Sequence, residues 1–263
     1  MAVLEMKNAV KTIQNGPKEQ KVLLNKVNLT VQPGDFITIL GGNGAGKSTL
    51  FNSISGNIAL TSGQLIMNGQ DITNYSEENR ARHIARVFQD PKMGTAPRMT
   101  VAENLLLAQS RGEKRGFRLR QLKQQKDAFY ELCRVVGNGL ENHLDTPTGN
   151  LSGGQRQALS LLMATMKTPD LLLLDEHTAA LDPKTAKQLM EITNQRILEQ
   201  KLTCLMITHR MEDALKYGNR LILLQKGEIV KNLNQAEKEA LTLPDLLSFF
   251  DEIIFCLIAI SNA

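Results

Sequence analysis

The sequence predicts an α/β fold with a mostly parallel core sheet, an antiparallel β flank and an inserted helical segment. Three observations predict it. Short continuous apolar runs at 36–40, 171–174, 203–208 and 220–225 have the character of strands buried on both faces. Helix-like segments separate several of them, as crossovers between parallel strands require. A glycine-rich loop lies directly between one buried run and the start of a helix. The length, 263 residues, fits one large domain or a domain carrying a subdomain.

Taken in order, Val22 to Val31 alternates like a half-exposed strand, and Pro33-Gly34-Asp35 turns the chain into the buried run Phe36 to Leu40. A helix is expected from about Lys47. Gln64 to Met67, Asn68-Gly69 and Gln70 to Ile72 read as a hairpin, because Asn-Gly suits the positive φ angles of a tight turn. From about Thr95 to Asn150 the pattern is helical: Thr100 and Glu103 form a capping box ahead of Val101 to Ala108, and Leu119 to Val136 has apolar residues at helical spacing. The sheet then resumes at Leu171. Asp182-Pro183 supplies a cap residue and a first-turn proline for a further helix.

Composition excludes several classes. A chain with 42% hydrophobic and 22% charged residues is neither disordered nor a disulfide scaffold. No signal-peptide pattern opens it, and its longest apolar run, Ile253 to Ile260, is far shorter than the roughly 20 residues that cross a bilayer. A cytosolic chain that does not span the membrane is therefore expected. Cys133, Cys204 and Cys256 lack metal-type spacing and read as buried reduced thiols, and His83, His143 and His177 show no mutual spacing of a metal site. The formal charge of +4 permits anion binding without arguing for nucleic acid. A basic stretch, Arg111, Lys114, Arg115, Arg118, Arg120, Lys123 and Lys126, is interleaved with no stacking aromatic beyond Phe117, and suits a solvated helical face near an anionic membrane surface.

The strongest local signal is Gly41-Gly42-Asn43-Gly44-Ala45-Gly46-Lys47-Ser48-Thr49, a phosphate-loop pattern in the required strand-to-helix context. Its glycines let backbone amides converge on a polyphosphate, and the helix N-terminus adds positive potential. Lys47 offers an ammonium and Ser48 an oxygen for Mg²⁺. A second signal is Leu171 to Leu174 ending in Asp175-Glu176, two acids where ligands sit in a parallel sheet. Asp175 is placed to hold Mg²⁺ through water, and Glu176 to polarise an attacking water.

Between these lies Leu151-Ser152-Gly153-Gly154-Gln155, and here the chain resembles the ATP-binding subunits of ABC transporters over nearly its whole length, from about Leu4 to Phe250. The motifs stand in the family order. Gln89 in Val87-Phe88-Gln89-Asp90-Pro91 matches the glutamine loop, Ser152 to Gln155 the signature, Ala180-Leu181-Asp182 the D-loop, and His209 in Ile207-Thr208-His209 the switch histidine. The resemblance implies a P-loop ATPase domain over 1–250, with a helical subdomain at about 95–150 that docks a separate permease, and a tail at 251–263 of no assigned role. It further implies that ATP and Mg²⁺ are bound, with Gln89 joining Ser48 and Asp175 at the metal and His209 contacting the γ-phosphate. Ser152, Gly153, Gly154, Gln155 and Asp182 serve the ATP held by a second subunit. Ser152 and Gln155 also form a capping box in their own right.

Where relatives place an adenine-stacking aromatic, this chain has Lys11-Thr12-Ile13, so Ile13 covers the base without stacking. His177 and Gly42 each stand at a common proline position. Gln155 to Met166 and Met93-Gly94-Thr95-Ala96 are similar to an importer subgroup that pairs the ATPase with a permease and a lipoprotein receptor, some members taking up aromatic amino acids. The function implied is the motor subunit of an importer for a small solute such as an amino acid. It would be peripheral on the inner membrane face, with an extracytoplasmic substrate-binding protein in the same system and no nucleic acid. The competing reading is a soluble ABC ATPase of the cluster-assembly or DNA-repair type.

Overall fold

A computed structural model describes residues 1–14, 16, 20–113 and 122–249. Strands β1 (Leu4–Gln14), β2 (Gln20–Val31), β4 (Ser62–Met67) and β5 (Gln70–Asp71) form an antiparallel sheet in the order β2-β1-β4-β5. A second sheet, ordered β10-β9-β3-β8-β7-β6, contains β3 (Phe36–Leu40), β6 (Ile84–Val87), β7 (Leu171–Asp175), β8 (Cys204–Ile207), β9 (Arg220–Gln225) and β10 (Glu228–Leu233). Its strands run parallel except β10, which returns antiparallel beside β9. The antiparallel flank and the parallel core are thus both present as the sequence predicts.

Helix α1 (Lys47–Ser55) follows β3, and the short α2 (Glu77–Arg80) precedes β6. Between β6 and β7 stand α3 (Val101–Gln109), α4 (Leu122–Arg134) and α5 (Gly153–Thr165), with single 3-10 turns at Leu140–His143 and Thr148–Asn150. The capping box at Thr100 and Glu103 is formed, and α3 ends one residue beyond the predicted stretch. Residues 119–121 of the second predicted helix lie outside the described residues, as do Lys114, Arg115, Arg118 and Arg120 of the basic stretch, Cys256, and the apolar run at 253–260. Helices α6 (Pro183–Glu199), α7 (Met211–Lys216) and α8 (Gln235–Glu239) complete the set of named helices.

The continuous apolar runs are explained by a core on each side of the second sheet. Ile37, Ile39, Leu171, Leu173, Leu205 and Ile207 point to one side, where they pack with Leu50, Phe51 and Ile54 of α1 and with Leu4, Met6 and Leu65 of the antiparallel sheet. Leu172, Leu174, Cys204 and Met206 point to the other, against Leu159 and Leu162 of α5 and Leu189 and Met190 of α6. Period-two alternation therefore persists, but both faces are apolar because both are covered. In the hairpin between β4 and β5, Asn68 and Gly69 have φ of 49° and 80°, the left-handed pair that such a two-residue turn demands. Cys133 and Cys204 are free and buried.

One buried charge lies far from the sheet's carboxyl edge. Lys238 of α8 is 4% exposed and donates to the carbonyls of Tyr217 and Gly218, which close the end of α7. Burial pushes its pKa down to about 8. The folded state thus holds this proton less tightly than the unfolded chain does, so the contribution of Lys238 to stability should rise as pH increases from about 8 towards the ordinary lysine value. Urea unfolding of the wild type and Lys238→Met at neutral and alkaline pH checks this: the wild type should gain on the variant as pH rises. A difference independent of pH would show the ammonium to be ordinary.

Candidate nucleotide site

The parallel register brings three strand ends to one level. Ile39 of β3 and Asp175 of β7 both stand opposite Ile207 of β8, so residues 41, 175–176 and 208–209 emerge together at the carboxyl edge. Between β3 and α1 the loop turns through Gly44 and Gly46, with φ of 75° and 103°. A Cβ on Gly46 would meet the Leu23 carbonyl oxygen at 2.7 Å, so only glycine lets β2 lie this close over the loop. A cleft of about 220 Å³ results, lined by Asn43, Gly44, Ala45, Gly46, Lys47, Ser48 and Thr49, by Lys21 and Leu23 of β2, and by Glu176 and His209.

Lys47 is 6% exposed and folds back on its own loop, donating from Nζ to the carbonyls of Gly41 at 2.8 Å and Gly42 at 3.1 Å. Burial lowers its pKa, while the nearby carboxylates of Glu176 and Asp175 oppose that shift. A polyphosphate in the cleft would give this ammonium a stronger partner than two carbonyls. Across the cleft, Glu176 Oε1 lies 2.6 Å from His209 Nε2, an acid and an imidazole paired at the mouth. Ser48, Asp175 and Gln89 offer hydroxyl, carboxylate and amide oxygen, the all-oxygen chemistry that suits Mg²⁺.

Other predicted positions are not in this cleft. Gln89 is exposed just beyond β6, and Ile13, 41% exposed on β1 opposite Lys21, is not among the residues lining the cleft. Ser152 caps α5, accepting from the Gln155 amide at 3.3 Å while Gln155 Oε1 accepts from the Ser152 amide at 3.2 Å. Ser152 and Gly153 are exposed. Asp182 caps α6 through Thr185, and those hydrogen bonds hold its carboxyl below the usual range. The two helix starts touch: a Cβ on Gly154 would meet Thr185 Cγ2 at 2.7 Å. The signature helix and the D-loop helix are thus packed on each other, not on their own phosphate loop.

Sequence reasoning missed Arg86. Its guanidinium bonds Asp175 Oδ2 at 2.5 Å and Asn52 Oδ1 at 2.7 Å and lies 4.7 Å from the centroid of the Phe88 ring. One arginine therefore ties β6 to α1 and to the tip of β7. The available signal was a charge inside a short apolar strand, between Ala85 and Val87, which demands a buried partner. Of the histidines outside the cleft, His83 pairs with Asp170, His177 with Thr193 and His143 with Thr146. Among the described residues no cluster of metal-ligating side chains is present.

A phosphate loop opening a helix, with an acid pair and a histidine at the adjacent strand ends, defines a P-loop nucleotide hydrolase. The family model for ABC transporters matches residues 24–179, and the chain belongs to the ATP-binding subunits of that family. It is 43% identical to a "Tyrosine transport ATP-binding protein" of Clostridioides difficile over 95% of this chain and 99% of the relative. It is 35% identical to a "Thiamine import ATP-binding protein ThiQ" of Photobacterium profundum over 87% of this chain and 90% of that one. Among solved structures, the ATP-binding cassette MJ0796, a dimer in a post-hydrolysis state bound to ADP and Pi, superposes with a TM-score of 0.76 at 27% identity, covering 88% of this chain and 98% of its own. The expected ABC ATPase fold is borne out, and the chain binds and hydrolyses ATP.

The Arg86 tether generates a prediction. Arg86 and Asp175 side chains are 11% and 13% exposed, so Arg86→Met strands a nearly enclosed carboxylate and should cost about 3 kcal/mol. Arg86→Met/Asp175→Asn should lose less than the two single losses added, since the second change removes the stranded charge. Urea unfolding of all four proteins measures this; strict additivity would show that the pair is not coupled.

Proposed function

We propose that the chain is the motor subunit of an importer for a small solute, an aromatic amino acid being the favoured class, and that two copies enclose two ATP molecules. The observation that carries the shared-site reading is the position of the signature. Ser152 and Gly153 present a capped, exposed helix start, yet neither lines the cleft around the chain's own phosphate loop. Such a helix start attracts phosphate. Supplied by one subunit to the ATP on its partner, together with Asp182 beside it, it would complete a site that each chain holds only in half. The solute class is supported by the 43% identity to a protein named for tyrosine transport.

In this reading the backbone amides from Gly41 to Thr49 and the Lys47 ammonium grip the triphosphate. Glu176 accepts a hydrogen bond from the attacking water and takes its proton as the water oxygen bonds to the γ-phosphorus and the bond from that phosphorus to the β,γ-bridging oxygen breaks, ADP leaving with that oxygen, while His209 contacts the γ-phosphate and orients the water. Ser48, Asp175 and Gln89 would hold Mg²⁺, which when bound offsets charge on the β- and γ-phosphate oxygens. Arg86 holds Asp175 in place for that duty. Ile13 and Leu23 offer aliphatic cover for the base.

An open cleft of about 340 Å³ between α2, β6, α3 and α5, with Ala81, Phe88, Leu107, Arg111 and Met163 in its walls, suits a segment of the permease. No helix among the described residues is long and apolar enough to cross a membrane, so the path for solute is assigned to that separate chain. The permease would hold this subunit at the inner membrane face, with an extracytoplasmic substrate-binding protein delivering the solute. The cluster-assembly and DNA-repair alternative has no observation favouring it over the import reading.

Lys47→Ala should abolish productive ATP binding or hydrolysis in a folded protein, and near-normal turnover would overturn the phosphate-loop assignment. Glu176→Gln should keep ATP bound while slowing turnover by at least about 100-fold. It should also trap an ATP-dependent dimer, read by size-exclusion chromatography with light scattering with and without Mg-ATP. Unchanged turnover would remove Glu176 as the base. The solute class is tested by co-purifying the membrane partner and asking which amino acids stimulate ATP hydrolysis; no response to any aromatic amino acid would overturn it.

A further inference from the structure

Glu176 occupies a left-handed backbone conformation, with φ of 47°. For a non-glycine residue that state costs on the order of 1 kcal/mol and persists only where neighbours hold it. Its amide donates to the Ile207 carbonyl at 3.1 Å and its carbonyl accepts from the Ala179 amide at 2.9 Å. The third anchor is the next side chain. His177 turns inward, 2% exposed, and its Nε2 lies 3.1 Å from Thr193 Oγ1 in the middle of α6. Thr193, fully buried, donates its hydroxyl hydrogen to the Leu189 carbonyl at 2.7 Å. Its oxygen is therefore the acceptor towards His177, and Nε2 carries the proton. Burial keeps the imidazole neutral, with its pKa pushed down to about 4.

The same α6 is capped by Asp182, and Thr185 in its first turn packs against Gly154 of the signature helix. One rigid element thus touches the turn that carries Glu176 and both segments assigned to the partner's ATP. We propose that His177, through its hydrogen bond to Thr193, is a positioning residue that fixes the Glu176 carboxylate relative to α6, so that the placement of the base follows the placement of the D-loop helix. The proposal rests on the assignment of Glu176 as the base that polarises water.

Thr193→Val keeps the shape of the side chain and removes the acceptor. It should lower kcat by about ten-fold or more, since small misplacements of a reacting group are costly, while KM and the dissociation constant for ATP stay within about two-fold. Thr193→Ser, which retains the hydroxyl, should restore turnover. In a Glu176→Gln background Thr193→Val should change the residual rate by less than about two-fold, because no carboxylate remains to be placed. Equal losses in both backgrounds, or wild-type kcat in folded Thr193→Val, would overturn the proposal. Should Thr193→Val not fold, His177→Gln, whose amide can donate to Thr193, must turn over faster than His177→Leu; equal rates overturn it as well. Wild-type turnover in Glu176→Gln alone would instead overturn the base assignment, so the two failures are distinguishable.

Discussion

The level at which parallel strands end is the constraint on which the site depends. Because Ile39 and Asp175 share Ile207 as a register partner, a phosphate loop, an acid pair and a histidine converge without any of their side chains contacting in the chain's linear order. A slip of one residue in β7 would turn Asp175 to the other face and carry Leu172 and Leu174 out of their core. The register is therefore specified by the alternating apolar faces on both sides of the sheet. Core packing and site geometry are set by the same pairing: Asp175 is the last residue of β7, and Glu176 follows it directly in the turn.

Glycine has two different duties here. At Gly46 it allows β2 to close over the phosphate loop, bringing Lys21 and Leu23 to the wall of the cleft. At Gly154 it allows the start of α5 to approach Thr185 of α6. The first closes the chain's own cleft. The second brings together the starts of α5 and α6, neither of which lines that cleft. At Gly46 the close atom is a backbone carbonyl oxygen and at Gly154 a threonine methyl, and a Cβ would crowd each.

Much of this was legible in the sequence because it is local. The phosphate loop is nine consecutive residues, the caps at Thr100, Ser152 and Asp182 each need a partner within three positions, and the buried strands announce themselves as apolar runs. Arg86, Thr193 and Lys238 were not legible, since each is explained by a partner distant in sequence: Asp175, His177 and the Tyr217 carbonyl. A lone arginine in a strand signals that a partner exists but not which one. A threonine inside a helix carries no signal, because its hydroxyl can bond back to its own helix, as Thr193 does with Leu189. Leu23 was readable as a strand residue, but its place at the cleft, and that of Lys21 just outside the predicted strand, depends on how the two sheets meet.

The same geometry bears on why such a subunit would act in pairs. A site complete within one chain would hydrolyse whatever ATP it met, and nothing would tie turnover to a second event. Here the cleft holds the loop, Lys47, Glu176 and His209, whereas the exposed, capped helix start bearing the paired glycines Gly153 and Gly154 does not line it. If that helix start completes a partner's cleft, hydrolysis waits on the approach of two subunits, and anything that sets the distance between them controls it. The cleft between α3 and α5 is built on the same helical layer as the signature helix, so a permease segment seated there would act on α5 directly. Coupling then needs no long path: α5 meets α6 at Gly154 and Thr185, and α6 meets the Glu176 turn at Thr193 and His177.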